Sequence, residues 1–152
     1  MTQTLDDLDK HLLKLLQTNS RATFSELSYK LNTAEATIRF RVKRLVDRGI
    51  ISKFTIIIDP NKTGQKVIGA ILLKIEPTNL EKACKTIATY PETMYLFQST
   101  GEYDIVSVIV TQDLEHLNRI VKQTKTIKGI KDIRVSITTQ FLKFEPNLSQ
   151  NL

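Results

Sequence analysis

Five long cationic side chains lie within one 16-residue segment, residues 33–48, which contains two acidic residues and carries a net charge of +3. These cations are Arg39, Arg41, Lys43, Arg44 and Arg48. Long cations suit phosphate groups, and the planar head of arginine also suits the hydrogen-bonding edges of bases. Arg39 and Lys43 are four residues apart and share one face of a helix. The segment therefore predicts nucleic-acid binding, although an isolated basic run is more often a solvated helix face.

Three residues of this segment have two possible roles each. Phe40 stands beside Arg39 and Lys43 and outside the apolar stripe. It either faces outward, where it contacts a thymine methyl or a sugar, or is partly buried against the first helix. Arg41 and Arg44 share a different face. They either contact DNA or pair with an acidic residue inside the domain.

Composition places the chain among ordinary globular proteins. It has 152 residues and a net charge of +6, with 41% apolar and 25% charged residues. The single cysteine, Cys84, excludes an intramolecular disulfide and a multi-cysteine metal site. The longest nearly apolar stretch, Val67–Ile75, is far shorter than the roughly 20 residues of a membrane span. We expect a soluble cytoplasmic, nucleoid-associated protein with no membrane partner, no metal and no cofactor.

The N-terminal third predicts three helices that position the basic segment. Leucines at three- and four-residue steps mark the first helix: Leu5, Leu8, Leu12, Leu15 and Leu16. Thr23 and Glu26 predict a capping box for a second helix over Phe24–Leu31. Thr33 is expected to cap a third helix over residues 34–48, ended by Gly49. Its expected apolar face is Ile38, Val42, Leu45 and Val46. Two helices joined by so short a turn are typical of a helix-turn-helix unit, whose second helix enters the major groove.

The remaining two-thirds predict strands and helices in the order βαββαβ, after a first strand over residues 50–58. Strands are expected at residues 67–76, 94–100, 105–111 and 133–141. Asn79 is expected to cap one helix, and Asp113 or Thr111 the other, with Leu114, Leu117, Ile120 and Val121 inward. This order is typical of the ferredoxin-like fold. The helices cover one sheet face, and a second copy of the chain is the simplest cover for the other.

Several short motifs together resemble the Lrp/AsnC family of prokaryotic transcriptional regulators. They are Leu5-Asp6-Asp7-Leu8-Asp9, Leu12-Leu13, Leu16-Gln17-Thr18-Asn19-Ser20-Arg21, Glu26-Leu27, Thr37-Ile38, Arg41-Val42, Arg44-Leu45, Gly49-Ile50-Ile51 and Gly101-Glu102-Tyr103-Asp104. The resemblance implies an α+β protein with an N-terminal three-helix winged-helix or helix-turn-helix domain and a C-terminal ferredoxin-like βαββαβ regulatory domain. It also implies homodimers through paired sheets, higher oligomers such as tetramers or octamers, and amino-acid effectors bound between regulatory domains near the last motif.

These observations define four segments and two candidate sites. The segments are a helix-turn-helix domain (residues 1–50), a hinge strand and linker (51–64), an effector-binding and oligomerisation domain (65–145) and a tail (146–152). The candidate contacts to double-stranded DNA are Arg21, Thr33, Thr37, Arg39, Phe40, Arg41, Lys43 and Arg44. The candidate effector site is Gly101, Glu102, Tyr103, Asp104, Thr138, Thr139 and Gln140.

The candidate effector site also has two readings. Asp104 is suited to accept from the ammonium of an amino acid, and backbone N–H groups of the Gly101 turn are suited to donate to its carboxylate. Alternatively, Gly101 only supplies a positive φ and Asp104 only stabilises the turn.

The functional prediction is a sequence-specific transcriptional regulator modulated by a small effector. The alternative is an architectural DNA-binding protein without one. An enzyme is not expected, because His11 and His116 lie in different halves and no nucleophile motif, P-loop or dinucleotide fingerprint occurs.

Overall fold

The computed structural model describes residues 5–58, 62–64, 67–140 and 142, and these fall into two compact units. The described part of the first unit, residues 5–57, contains three helices and no strand. The second unit, residues 58–142, contains a four-stranded sheet and two α-helices.

The three helices of the first unit are α1 (Asp7–Thr18), α2 (Phe24–Leu31) and α3 (Glu35–Asp47). Two of them begin at side-chain caps. The Asp6 carboxylate accepts the backbone N–H of Asp9 at 2.8 Å. The capping box between Thr23 and Glu26 is confirmed, with the hydroxyl and the carboxylate each bonded to the other residue's backbone N–H.

The core of the first unit lies where α1 and α2 meet the apolar face of α3. Its buried members are Leu12, Leu13, Leu16, Leu27, Ile38, Val42 and Leu45. The inward position predicted for Val46 is wrong, since its side chain is 41% exposed. Asp9, in the first turn of α1, is also on the buried face and is only 1% exposed.

The cap predicted for α3 is wrong, whereas its predicted end is confirmed. The N-cap position is Ala34, without a side-chain cap bond. The Thr33 hydroxyl instead donates to the Leu31 carbonyl at 2.9 Å, so it closes the turn behind α2. Gly49 follows the helix with a φ of +69°, the left-handed conformation that glycine adopts without steric cost.

The predicted ferredoxin-like arrangement of the second unit is confirmed. Its strands are β1 (Val67–Ile75), β2 (Thr93–Gln98), β3 (Ile105–Thr111) and β4 (Ile130–Ile137). Its helices are α4 (Leu80–Ile87) and α5 (Leu114–Lys125). The sheet order is β2-β3-β1-β4, and every adjacent pair is antiparallel.

Two cap predictions for these helices have different outcomes. Asp113 caps α5 by accepting the His116 backbone N–H at 2.7 Å. Asn79 occupies the N-cap position of α4 but makes no side-chain cap bond, because a 3-10 turn over Pro77–Asn79 leads directly into the helix.

The two helices cover one sheet face. Its core includes Ile71, Leu73 and Ile75 of β1, Ile105 and Ile109 of β3, and Ala83, Ile87, Leu117 and Ile120 of the helices. The inward position predicted for Leu114 is wrong, because this first residue of α5 is 52% exposed.

The opposite sheet face, which we call the open face, is lined by apolar residues. Strand register places Leu72 opposite Val106 and Ala70 opposite Val108, with Phe97 on the other side of Val106. Their side chains are partly buried, except that Phe97 is 51% exposed.

The strand predicted over residues 50–58 is wrong. The structure assigns no strand there and no ladder partner within the described chain. Phe54, Ile56, Ile57 and Ile58 are 52–72% exposed. High β-propensity measures how well a side chain fits a paired, half-buried sheet, and no neighbouring strand is present here.

Two other strands differ from the prediction by more than one residue. The second strand runs from Thr93 to Gln98 rather than over residues 94–100. The last strand ends at Ile137, so Thr138, Thr139 and Gln140 follow it, and Phe141 lies outside the described residues.

Candidate nucleic-acid interface and effector turn

The exposed face of α3 is set by the burial of its apolar face. Ile38 and Leu45 are fully buried and Val42 nearly so, which turns Thr37, Arg39, Phe40 and Lys43 toward solvent. We call the surface formed by Arg39, Phe40 and Lys43 the α3 outer face. It groups two cations and an aromatic ring, side chains that can contact phosphates, base edges and thymine methyls.

Arg39 is oriented by two neighbours although its side chain is 62% exposed. Its Nη2 donates to Glu35 Oε1 at 2.9 Å, and its guanidinium carbon lies 4.5 Å from the Phe24 ring centroid. Exposed contacts of this kind are each worth about 1 kcal/mol or less, so DNA phosphates can displace the carboxylate at little cost.

Phe40 faces outward. Its side chain is 62% exposed, which excludes the alternative of burial against the first helix. It borders a shallow hollow that Lys43, Arg44, Asp47 and Arg48 complete.

Arg41 and Arg44 lie on a different side of α3 and donate hydrogen bonds to carboxylates at the start of α1. Of the two roles predicted for them, this is pairing with an acidic residue inside the domain. Arg41 Nη1 donates to Asp9 Oδ1 at 3.1 Å and also to the Asp6 carboxylate. Arg44 Nη2 donates to Asp9 Oδ2 at 2.6 Å. Both oxygens of a carboxylate that is 1% exposed are thus bound by α3. We call these four residues the α1–α3 ion network.

The network shifts the pKa of two of its members, Asp6 and Arg41. The hydrogen bond from Arg41 holds the pKa of Asp6 below its ordinary value, and the bond to the Asp9 N–H adds to the effect. The same bond to Asp6, followed by the bond to Asp9, raises the pKa of Arg41. Because the folded pKa of Asp6 is depressed, its contribution to stability is present above about pH 4 and is lost as the pH falls through the folded pKa.

The remaining candidate DNA contacts are dispersed. Arg21 is exposed after α1, and its backbone N–H donates to Asn19 Oδ1 at 3.0 Å. Thr37 is exposed in the first turns of α3, whereas Thr33 is partly buried. The contact between Asp9 and α3 was not predicted, although the spacing of Asp9 indicates that its side chain is on the buried face of α1. Asp9 precedes Leu12 and Leu13 by three and four residues and so shares their buried face.

The candidate effector turn joins β2 to β3 at the end of β1. Gly101 has a φ of +123°, a conformation that favours glycine. Asp104 Oδ2 accepts the Ile75 backbone N–H at 2.7 Å, and the Asp104 backbone bonds to Leu73 and Ser99. Gly101 and Asp104 thus have the structural roles that the second of the two readings gives them.

Tyr103 packs into this end of the sheet. It is 6% exposed, and its hydroxyl donates to Asp132 Oδ2 at 2.8 Å, which raises the pKa of Tyr103. Arg134 lies 5.1 Å from the ring centroid and 3.7 Å from Glu102. Asp132 and Arg134 were not among the predicted residues, because only the pairing of β1 with β4 brings them to the turn.

The structure does not bring the two parts of the candidate effector site together within one chain. Asp104 bonds to Ile75 at one end of β1, whereas the Thr138 N–H donates to the Ile68 carbonyl at the other end. Seven residues of strand separate these ends, or about 23 Å. Thr138, Thr139 and Gln140 are all exposed.

Two features are absent from the part of the chain that the structure describes. No three His, Cys, Asp or Glu side chains are grouped so as to hold a metal ion. No helix there is long and apolar enough to cross a membrane.

Comparison with known proteins matches both halves of the chain. Residues 5–46 match the model of the AsnC-type helix-turn-helix domain, and residues 69–148 match that of the Lrp/AsnC ligand binding domain. An uncharacterised HTH-type transcriptional regulator of Pyrococcus horikoshii is 37% identical over 141 residues, covering 92% of this chain and 89% of that protein.

Two more relatives extend this similarity. The HTH-type transcriptional regulator FL11 of the same organism is 34% identical, covering 90% of this chain and 91% of that protein. A transcriptional regulator from Neisseria meningitidis, solved as a complex with L-Met, superposes with a TM-score of 0.88 at 25% identity. That superposition covers 95% of this chain and 96% of the other.

Proposed function

This chain belongs to the Lrp/AsnC family of transcriptional regulators, and from that premise we propose that it reads specific DNA sites through α3 and responds to an amino-acid effector. It is a DNA-binding regulator and not an enzyme. The observation that carries the proposal is that the functional side chains of α3 form two groups with different surroundings. Arg41 and Arg44 are held by Asp9, while Arg39, Phe40 and Lys43 face outward.

The DNA-reading part of the proposal assigns different tasks to the outward side chains. Arg39 has the bidentate head that recognises guanine in the major groove, and Lys43 contributes a point charge for phosphate. Phe40 supplies the apolar contact that suits a thymine methyl. Arg41 and Arg44 then act as positioning residues rather than as DNA contacts.

Arg39→Ala is expected to weaken binding to the best operator by about 1–3 kcal/mol and to relax base preference at one position of each half-site. Selection of sites from a random duplex library, followed by affinity measurement, checks this. The Arg39→Lys variant is the matched control, because it keeps the charge but loses the bidentate head. If it behaves like wild type while Arg39→Ala weakens all sequences equally, Arg39 contacts only phosphate. A ratio of specific to non-specific affinity far below about 10³ for wild type would favour the architectural alternative.

We propose a homodimer formed through the open face. Apolar side chains of β1, β2 and β3 line this face, including Leu72, Phe97, Val106 and Val108. The exposed apolar side chains of Phe54, Ile56, Ile57 and Ile58 are a separate set that a second copy of the chain can also bury. A dimer would present two copies of α3 to successive major grooves about 34–36 Å apart, so the operator should be an inverted repeat. A footprint over a single unrepeated half-site would contradict the dimer.

The effector part of the proposal rests on the turn at Gly101 and on the Neisseria relative solved with L-Met. Asp104 offers a carboxylate for an ammonium group, and the glycine leaves backbone N–H groups approachable for a carboxylate. Thr138, Thr139 and Gln140 lie at the other end of β1. They can join the same site only if another copy of the chain supplies them. The proposed site therefore lies between regulatory domains.

Isothermal titration against the twenty amino acids is expected to give heat with at least one of them. Asp104→Asn is expected to abolish that heat while keeping the fold, because its amide oxygen still accepts the Ile75 N–H. Thermal unfolding of the variant checks that the turn is intact. The absence of heat with every amino acid for wild type would contradict an amino-acid effector, and unchanged heat for Asp104→Asn would remove Asp104 from the site.

A further inference from the structure

The C-terminal unit contains a second basic segment, more strongly charged than the segment that includes α3. Residues 116–131 contain five basic side chains and no acidic one, a net charge of +5 over 16 residues. The equally long segment 33–48 carries +3. The positive charge of the C-terminal two-thirds is therefore concentrated in one place.

Three of the basic side chains of this segment project from the outer side of α5, and a fourth, Lys128, follows the end of the helix. Leu117, Ile120 and Thr124 form the buried side of the helix. Arg119, Lys122, Lys125 and Lys128 are all exposed, and we call them the α5 basic surface.

Most of this charge is not compensated. Arg119 lies 3.1 Å from Glu115, and the neighbouring Lys131 lies 3.8 Å from Glu76. Within the residues that the structure describes, Lys122, Lys125 and Lys128 form no ion pair.

The α3 segment differs in this respect. Its Arg39, Arg41 and Arg44 are all paired with carboxylates. The α5 basic surface is thus the stronger local attraction for a polyanion, although α3 has the side chains suited to base edges.

Two other roles account for less of the pattern. Lys122 and Lys125 lie in the last turn of α5 and favour the helix dipole, but Arg119 and Lys128 do not share that position. A protein-binding surface is also a poor fit, because lysine is depleted in protein interfaces.

The dimensions of the surface fit a nucleic-acid backbone. From Arg119 to Lys125 the helix axis advances about 9 Å. Duplex DNA carries about five phosphate charges over that length. We propose that the α5 basic surface is a second, sequence-independent contact to the phosphate backbone of duplex DNA, additional to the contact made by the helix-turn-helix domain.

The test uses the full-length protein and a mixed-sequence duplex of about 150 base pairs. The K122Q/K125Q/K128Q variant removes three uncompensated charges from exposed positions. The expected slope of log K against log salt concentration is smaller in magnitude by about 2–3, since each lost phosphate contact contributes about 0.9. The K122R/K125R/K128R variant is the matched control and is expected to keep the wild-type slope.

Each alternative outcome has a distinct reading. A wild-type slope for the glutamine variant overturns the proposal and leaves a solvated helix face. A loss shared by the arginine control, or one that accompanies a change in sedimentation, also overturns it, because the effect then acts through fold or assembly. Arg39→Ala measured in parallel reports on α3, so failure of the second contact is distinguishable from failure of the proposed operator reading.

Discussion

Asp9→Ala is expected to lower the free energy of unfolding of the N-terminal domain by about 3 kcal/mol, which is a large part of the stability of a small domain. The Asp9 carboxylate is 1% exposed and accepts from both Arg41 and Arg44. Its removal leaves Arg44 without its carboxylate partner and leaves Arg41 with only the partly exposed Asp6 carboxylate. This loss is at the low end of the range for a broken buried ion pair. The side chains of Arg41 and Arg44 are 21% and 33% exposed, so water can solvate them in the variant.

Urea unfolding followed by circular dichroism at 222 nm measures this effect. Asp7→Ala is the matched control, because Asp7 is exposed in the first turn of α1 and has at most a dipole contribution of about 0.3–1 kcal/mol. Equal destabilisation by the two variants would show that the ion pairs of Asp9 contribute nothing beyond the dipole effect of a carboxylate in the first turn of a helix. The Asp9 variant is also expected to lose operator affinity at temperatures where it remains folded, since α3 then loses its anchor on α1.

Val108→Asp is expected to convert the proposed dimer to a monomer and to weaken operator binding by about 10²–10⁴-fold. Val108 is partly buried near the middle of the open face, where it lies opposite Ala70 and Tyr95. A carboxylate there would lose its water when a second sheet packs against it, without a partner to compensate. Two DNA-binding domains on separate chains then lose the advantage of binding one operator together.

Sedimentation velocity and operator titration check the two parts of this expectation. Leu114→Asp is the matched control, since Leu114 is 52% exposed on α5 and belongs to the helix layer. It introduces the same charge away from the open face, at a helix N-terminus where a carboxylate is favourable. A Val108→Asp protein that sediments like wild type would contradict dimerisation through this face.

Local chemistry made much of the fold predictable. The capping box at Thr23 and the Asp113 cap are set by residues three apart, so the sequence displays them directly. The order of strands and helices followed from alternation and turn residues. The cap expected at Thr33 failed because a threonine hydroxyl can satisfy a preceding carbonyl equally well, and it bonds to Leu31.

The candidate sites were less predictable, because long-range pairs define them. Residue types identified Arg41 and Arg44 as cations, but the partner they share, Asp9, is more than 30 residues away. The turn at Gly101 was visible in the sequence, whereas its distance from Thr138 follows only from strand register. The segment over residues 50–58 has the composition of a strand but no partner strand among the described residues of its own chain, so its propensity alone misled the prediction.

The α1–α3 ion network has a consequence for how such a regulator can diverge. The residues that hold α3 to the domain are separate from those that the proposed interface presents to DNA, although they alternate along one helix. Positions 39, 40 and 43 can then change in gene duplicates, or in a designed library, without loss of the ion pairs that Arg41 and Arg44 form with Asp9. Operator preference and domain stability become independently adjustable traits, and new specificities can arise on an unchanged scaffold.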